Sequence, residues 1–157
     1  MNYQLAQMNI AKFRVQQNDP VNKDFIDNLD LVNAAAERQP GFVWRFQGAE
    51  NNAMDVQAFE DPNIIVNMSV WTNLQSFADF VYNAKEHKNI MKRRHEWFVK
   101  IDFHMVFWWI EEGTTPTIDE AKNRLEQLRK YGPTNLAFTF KNPVAMPSGH
   151  DAETVDN

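Results

Sequence analysis

The chain has 157 residues, 43% hydrophobic and 24% charged, enough for one domain with a full core. Its net charge of -5 excludes the basic footprint of a nucleic-acid binder, and the absence of Cys excludes disulfides, thiolate metal sites and thiol nucleophiles. No apolar run approaches the ~20 residues of a membrane span, and MNYQLAQMNIAKF is not a basic segment followed by an apolar one, so no leader peptide is expected and the cytoplasm is the expected compartment.

Residues 3–13 alternate as a strand does: Ala6, Met8 and Ile10 share one face, and Leu5, Gln7, Asn9 and Ala11 the other. Asp19-Pro20 is a helix start, and Phe25, Leu29, Val32 and Ala36 form one apolar helical stripe that Pro40-Gly41 stops. FVWRFQ, residues 42–47, is a second strand. A polar loop from Gly48 to about Asn63 leads to a third strand, 64–71, with Ile64, Val66, Met68 and Val70 on one face and Ile65, Asn67, Ser69 and Trp71 on the other. Thr72-Asn73-Leu74-Gln75 has capping-box spacing and starts a helix through Phe77, Val81 and Ala84. Helical character resumes around Ile90, Arg94 and Trp97, after a break near His87.

The fourth strand is expected over about 103–111, where His104, Val106, Trp108 and Ile110 alternate with Phe103, Met105, Phe107 and Trp109. A second capping box at Thr117 opens a helix through Ala121, Leu125 and Leu128 to Gly132-Pro133. Leu136–Phe140 is an edge strand or a packing arm. Residues 1–140 make one domain, and 141–157 read as a loose tail.

The order β-α-β-β-α-β plus a helix is the α+β, ferredoxin-like split βαβ unit. Its sheet carries helices on one face and leaves the other bare in a monomer. The bare face is expected to hold Gln7, Asn9, Asn67, Ser69, Trp71, His104 and Trp108, and two such sheets packed together would make a dimeric α/β barrel with room for a ligand.

Several motifs occur in order: NxSVWxxxxxFxxFVY from Asn67 to Tyr82, then His87, MKRRHEWF from Met91 to Phe98, and HxVxWW from His104 to Trp109. Together with LAQMNIAKF and GFVWRFQ they resemble a bacterial domain family of unknown function, number 3291. That family is similar to the antibiotic biosynthesis monooxygenase-like branch of the dimeric α/β barrel superfamily. The resemblance implies the ferredoxin-like fold and a homodimer. It also implies kinship with cofactor-free oxygenases of polycyclic phenols and with haem-degrading enzymes. The oxygenases use an Asn and, four positions on, a Trp of the third strand, which Asn67 and Trp71 match. The haem-degrading members use an Asn on the first strand, a Trp ending the third and a His on the next helix. Asn9 and Trp71 match, but Phe80-Val81-Tyr82 stands at the His position and His87 comes later.

Asn67 and Asn9 are therefore candidates for holding a phenolate by directed N–H donation, or for bonding a neighbouring chain. Trp71 stacks on a flat ligand or anchors an interface. His87 and His104 are candidate bases. Gln7, Ser69, Arg45, Arg94 and Trp108 are candidate binding residues, Arg45 because a charge on the bare face needs a ligand or an acid to meet it. Metal, nucleotide and serine-hydrolase motifs are absent from the sequence. Three functions follow. The leading one is a cofactor-independent oxygenase acting on a hydrophobic aromatic molecule. The others are a haem or porphyrin binder using His87 or His104, and a non-catalytic dimeric ligand-binding or stress-related module.

Overall fold

The computed structural model describes residues 2–48, 52–54, 56–101 and 104–147. Phe103 of the expected fourth strand, part of the loop after Gly48 and the tail beyond residue 147 lie outside the described residues.

Five strands form one antiparallel sheet: β1 (Tyr3–Phe13), β2 (Phe42–Arg45), β3 (Ile64–Trp71), β4 (Phe98–Val99) and β5 (Met105–Glu111). The order is β2-β3-β1, and β4 and β5 pair with successive parts of the free edge of β1. Taken together as one interrupted strand, β4 and β5 complete the ferredoxin-like order, and the fold is mixed α+β with an added C-terminal helix. The first crossover carries α1 (Lys23–Asp27) and α2 (Leu29–Glu37). The second carries α3 (Leu74–Asn83), α4 (Lys85–Lys92) and α5 (Arg94–Trp97), and α6 (Ile118–Tyr131) follows the sheet.

Local signals account for these boundaries. The Asp19 carboxylate accepts from Val21 N ahead of a 3-10 turn at Pro20–Asn22. Thr117 caps α6 by accepting from Glu120 N. The cap of α3 is Asn73, one residue later than the expected Thr72, because its Oδ1 reaches Ser76 N at 2.8 Å. Ala84, extended at φ -69 and ψ 121, ends α3, so His87 sits inside α4 and not at the break. Gly41 has φ 88 and its carbonyl accepts from Thr72 N at 2.8 Å; a Cβ there would fall 2.2 Å from Ser76 Oγ, so the turn needs glycine.

The face assignment expected above is reversed. Ala6, Met8, Ile10, Val66, Met68, Val70, Val106, Trp108 and Ile110 form a closed core with Ala121, Leu125 and Leu128 of α6. This aliphatic face is the one without the crossover helices, and α6 fills it. The face with Gln7, Asn9, Asn67, Ser69 and Trp71 lies under the crossover helices: Leu5, Trp71 and Phe107 pack with Ala35 and Ala36 of α2 and Phe77 and Phe80 of α3. Alternation says which residues of a strand share a face, but not which face the helices choose. The aromatic stripe of α3 met an aromatic row, and the aliphatic stripe of α6 met an aliphatic one.

Trp108 and His104 are a second correction. Pairing sets Met105 opposite Asn9 and Phe107 opposite Gln7, so the odd-numbered residues of β5 share the amide face. Trp108 therefore lies on the aliphatic face with α6. Parity between strands depends on register, which the sequence does not display. Past the sheet, Phe138 bridges Phe107, and Trp109 Nε1 donates to Val144 O at 2.9 Å, which ties the start of the expected tail to β5.

Candidate functional site

Register brings the candidate polar residues into two adjacent rows across the sheet. Arg45 of β2, Ser69 of β3, Gln7 of β1 and Phe107 of β5 form one row; Asn67, Asn9 and Met105 form the next. A third row, Trp71, Leu5 and Trp109, flanks the first. The polar rows lie between two apolar groups on the same face. One is built on Trp71, Phe77 and Phe107, and the other on Phe13, Phe25 and Trp97 with Ile65.

Within the rows, the side chains form one connected hydrogen-bond network. Trp71 Nε1 donates to Ser69 Oγ at 2.8 Å, and Gln7 Nε2 donates to the same oxygen at 2.7 Å. Gln7 Nε2 also donates to Asn67 Oδ1 at 2.8 Å. Asn9 Nδ2 donates to Gln7 Oε1 at 3.0 Å and to Asn67 Oδ1 at 3.2 Å. The buried end is well satisfied: Gln7 is 0% exposed, Trp71 1% and Ser69 6%. Asn9 is half-buried and Asn67 exposed, so the network climbs from core to surface.

An amide oxygen has two lone pairs, and both of those on Asn67 Oδ1 are taken. Its Nδ2 hydrogens must point away from Gln7 and Asn9. They have no acceptor among the described residues. The cluster thus presents neutral N–H donors, held from behind by buried partners, at a surface flanked by aromatic side chains. Such a group can bind a carbonyl or phenolate oxygen.

His87 stands at one remove. Its ring meets Phe80 edge-on at 5.0 Å, and Phe80 stacks on Trp71 at 5.6 Å. His87 Nδ1 lies 3.0 Å from Val81 O. A carbonyl only accepts, so Nδ1 carries the proton and Nε2 the lone pair. Burial pushes the imidazole pKa down, partly offset by the bond to Val81, which keeps the ring neutral. The hydrogen bond and ring contact of His87 are with Val81 and Phe80, not with Asn9, Asn67 or Gln7.

The other candidates are apart from the cluster or already partnered. Arg45, 7% exposed, donates through Nε to Glu37 Oε1 at 2.7 Å, so the acid its charge required comes from the end of α2. Arg94 is exposed and donates to Met91 O at 2.7 Å across the break between α4 and α5. Trp108 Nε1 donates to Glu120 Oε1 at 3.2 Å on the opposite face. His104 is exposed, and its backbone carbonyl accepts from Ile10 N at 2.8 Å. Two contributors went unmarked in the sequence: Glu37, whose only signal was its place at the end of a helix, and Phe80, which the spacing from Phe77 could have indicated.

Two surface clefts among the described residues lie elsewhere. One of about 240 Å³ lies between α2 and α4, lined by Leu31, Lys85 and Ile90 among others, and one of about 550 Å³ lies by Pro133 and Lys141–Val144. Among the described residues no group of three or more His, Cys, Asp or Glu side chains could hold a metal ion. Haem ligation does not fit the two His candidates. His87 packs against Phe80 inside the helical layer and lines neither cleft, and His104 has the strand parity opposite to Asn9 and Trp71.

A family model described as "Domain of unknown function (DUF3291)" matches residues 4–154. Among solved structures, similar chains include a candidate antibiotic biosynthesis monooxygenase from Nitrosomonas europaea, with 13% identity, TM-score 0.49, and coverage of 74% of this chain and 96% of that one. SnoaB, a cofactor-independent oxygenase from Streptomyces nogalater, has 16% identity and TM-score 0.46, with coverage of 73% and 97%. A Nitrosomonas europaea protein of unknown function has 10% identity and TM-score 0.47, with coverage of 73% and 94%. Likeness at this level assigns no activity. No curated protein matches the sequence.

Proposed function

Since the chain belongs to the DUF3291 family, we propose that it binds a hydrophobic aromatic molecule over Asn9 and Asn67 and oxidises it with dioxygen, without a resident cofactor. The observation that carries this reading is the doubly occupied Asn67 Oδ1, which commits the Nδ2 hydrogens to an outside oxygen. N–H donors held in place by buried partners stabilise a developing oxyanion without reorganising as charge appears.

The substrate would be a phenol or anthrone whose anion is resonance-stabilised. Its proton passes to water at the exposed end of the cluster, and Asn67 holds the resulting oxyanion. The electron-rich ring carbon then gives its electrons to dioxygen. In an anthrone, one oxygen atom becomes the new ring carbonyl, and the other leaves as water with the two hydrogens of the oxidised CH₂. Trp71 and Phe80, both buried, back the cluster from within the core. The reading includes a homodimer acting in the cytoplasm, with a native mass of twice 18.4 kDa.

The test is oxygen uptake on an anthrone with metal-free protein. One dioxygen consumed per quinone formed is expected, and Asn67→Ala should lower kcat by roughly 10²-fold, as loss of an oxyanion donor does. Unchanged turnover in that variant would refute the role given to Asn67.

A second reading, a non-catalytic ligand-binding dimer, is favoured by one observation. The hydrogen bonds of the cluster join neutral side chains only, and His87 stands behind Phe80. It predicts saturable binding of the same aromatic molecules with no oxygen uptake.

A further inference from the structure

We propose that the ligand bound at Asn9 and Asn67 offers a carbonyl oxygen and an adjacent N–H on one flat edge, as a neutral lactam or cyclic imide does. The proposal rests on the reading that this face binds an aromatic molecule, and it exchanges the phenol or anthrone for a neutral lactam, which suits the ligand-binding reading.

The argument is an account of donors and acceptors. Gln7 spends both Nε2 hydrogens, on Ser69 and Asn67. Asn9 spends both Nδ2 hydrogens, on Gln7 and Asn67. Ser69 Oγ accepts from Gln7 and Trp71, and Asn67 Oδ1 accepts twice. On the two outer amides this leaves one kind of group each: donors on Asn67 Nδ2, and an acceptor on Asn9 Oδ1, neither with a partner among the described residues. With Gln7 oriented as it is, neither outer amide can turn over alone. Turning Asn67 over would set its Nδ2 against two donors, and turning Asn9 over would set its Oδ1 against the oxygens of Gln7 and Asn67.

Asn9 and Asn67 are directly opposed in the β1–β3 ladder, so their side chains are neighbours on one face. A donor beside an acceptor is matched by an acceptor beside a donor. A secondary cis-amide carries that pair on its edge, C=O towards Asn67 and N–H towards Asn9. A simple ketone or phenolate satisfies Asn67 alone and leaves Asn9 Oδ1 facing an apolar edge. Neutrality follows from the surroundings. Arg45, the ionisable side chain in the polar rows, is held by Glu37, and the residues beside the pair are Met105, Ala11 and Ile65. Flatness follows from the amide itself, whose C=O and N–H lie in one plane.

The experiment is calorimetric titration of the full chain with isoquinolin-1(2H)-one, its N-methyl derivative and 1-tetralone. The expected result is that the lactam binds at least tenfold more tightly than the N-methyl compound and the ketone. Asn9→Ala should remove that preference while keeping the affinity for the ketone, and Asn67→Asp, which replaces the donors by acceptors, should weaken all three. Both positions are on the accessible side of the network, and thermal melting of each variant confirms that it folds. Equal affinities for lactam and N-methyl lactam in the unaltered protein would overturn this inference and leave the oxygen-holding role of Asn67 standing. Failure of all three to bind would overturn both.

Discussion

The two faces of the sheet are built by the same three strands, one residue out of step, and they solve different problems. The aliphatic face is a continuous core: Met8, Met68, Val70 and Val106 meet Leu125 and Leu128 of α6, and every buried position is apolar. The face under the crossover helices is interrupted. Aromatic groups occupy both ends, and three amides and a hydroxyl fill the middle. A cluster of this kind stabilises little, because its bonds replace bonds to water, yet losing one member strands the rest. The difference separates a face that holds the fold from a face that holds something else.

That comparison can be broken from either side. The largest effect is expected on the aliphatic face. Leu125→Ala empties a fully buried position under the sheet and should cost about 2–5 kcal/mol in urea unfolding, with ligand binding retained in the protein that remains folded. Gln7→Leu, of similar volume, should cost about 1–3 kcal/mol, because Ser69 and Asn67 lose their shared donor. If it proves neutral or stabilising, the amide rows are not a cooperative unit.

A pair of indoles sharpens the point. Trp71 and Trp97 are both buried, but among the described residues Trp71 Nε1 has a partner and Trp97 Nε1 has none. Trp71→Phe should therefore cost about 1 kcal/mol more than Trp97→Phe, by the worth of one hydrogen bond; equal costs would mean that the bond to Ser69 contributes nothing. Asn67→Ala should cost about 1 kcal/mol, because the buried Gln7 Nε2 loses its outer acceptor, and its larger effect should fall on binding and turnover.

The smallest effect is a pH dependence. Burial lowers the pKa of His87, so the folded chain resists a proton that the unfolded chain accepts. The stability this confers is present above the unfolded-state value of about 6.5 and is lost as pH falls. The melting temperature should drop on acidification, and His87→Gln should flatten that part of the profile.

Much of this was legible in the chain. The alternation of Ala6-Met8-Ile10 with Gln7 and Asn9, and of Val66-Met68-Val70 with Asn67 and Ser69, gave the strands and their sides, and the capping residues gave the helix starts. The pairing of Asn9 with Asn67 followed once β1 and β3 were neighbours. Which side the helices would cover was not legible, because a helix stripe and a strand face are each apolar without being addressed to one another. The place of Trp108 and His104 was not legible either, since a shift of one residue in the β5 register moves every side chain to the other face. Arg45 read as a charge seeking a partner, but Glu37 could be found only after α2 had been laid across the sheet.

The central position of β1 has a consequence for biosynthesis. It is made well before both of its neighbours: Gln7 and Asn67 are 60 residues apart, and β5 lies further on. At about 5–20 residues per second, roughly 3–12 s pass before β3 follows β1 out of the ribosome. During that interval the aliphatic side of β1 has no sheet to join. Contacts so distant in sequence also slow the search for the native pairing. Swapping β1 for a more hydrophobic version would therefore raise the yield of aggregates before it raised the stability of the folded protein.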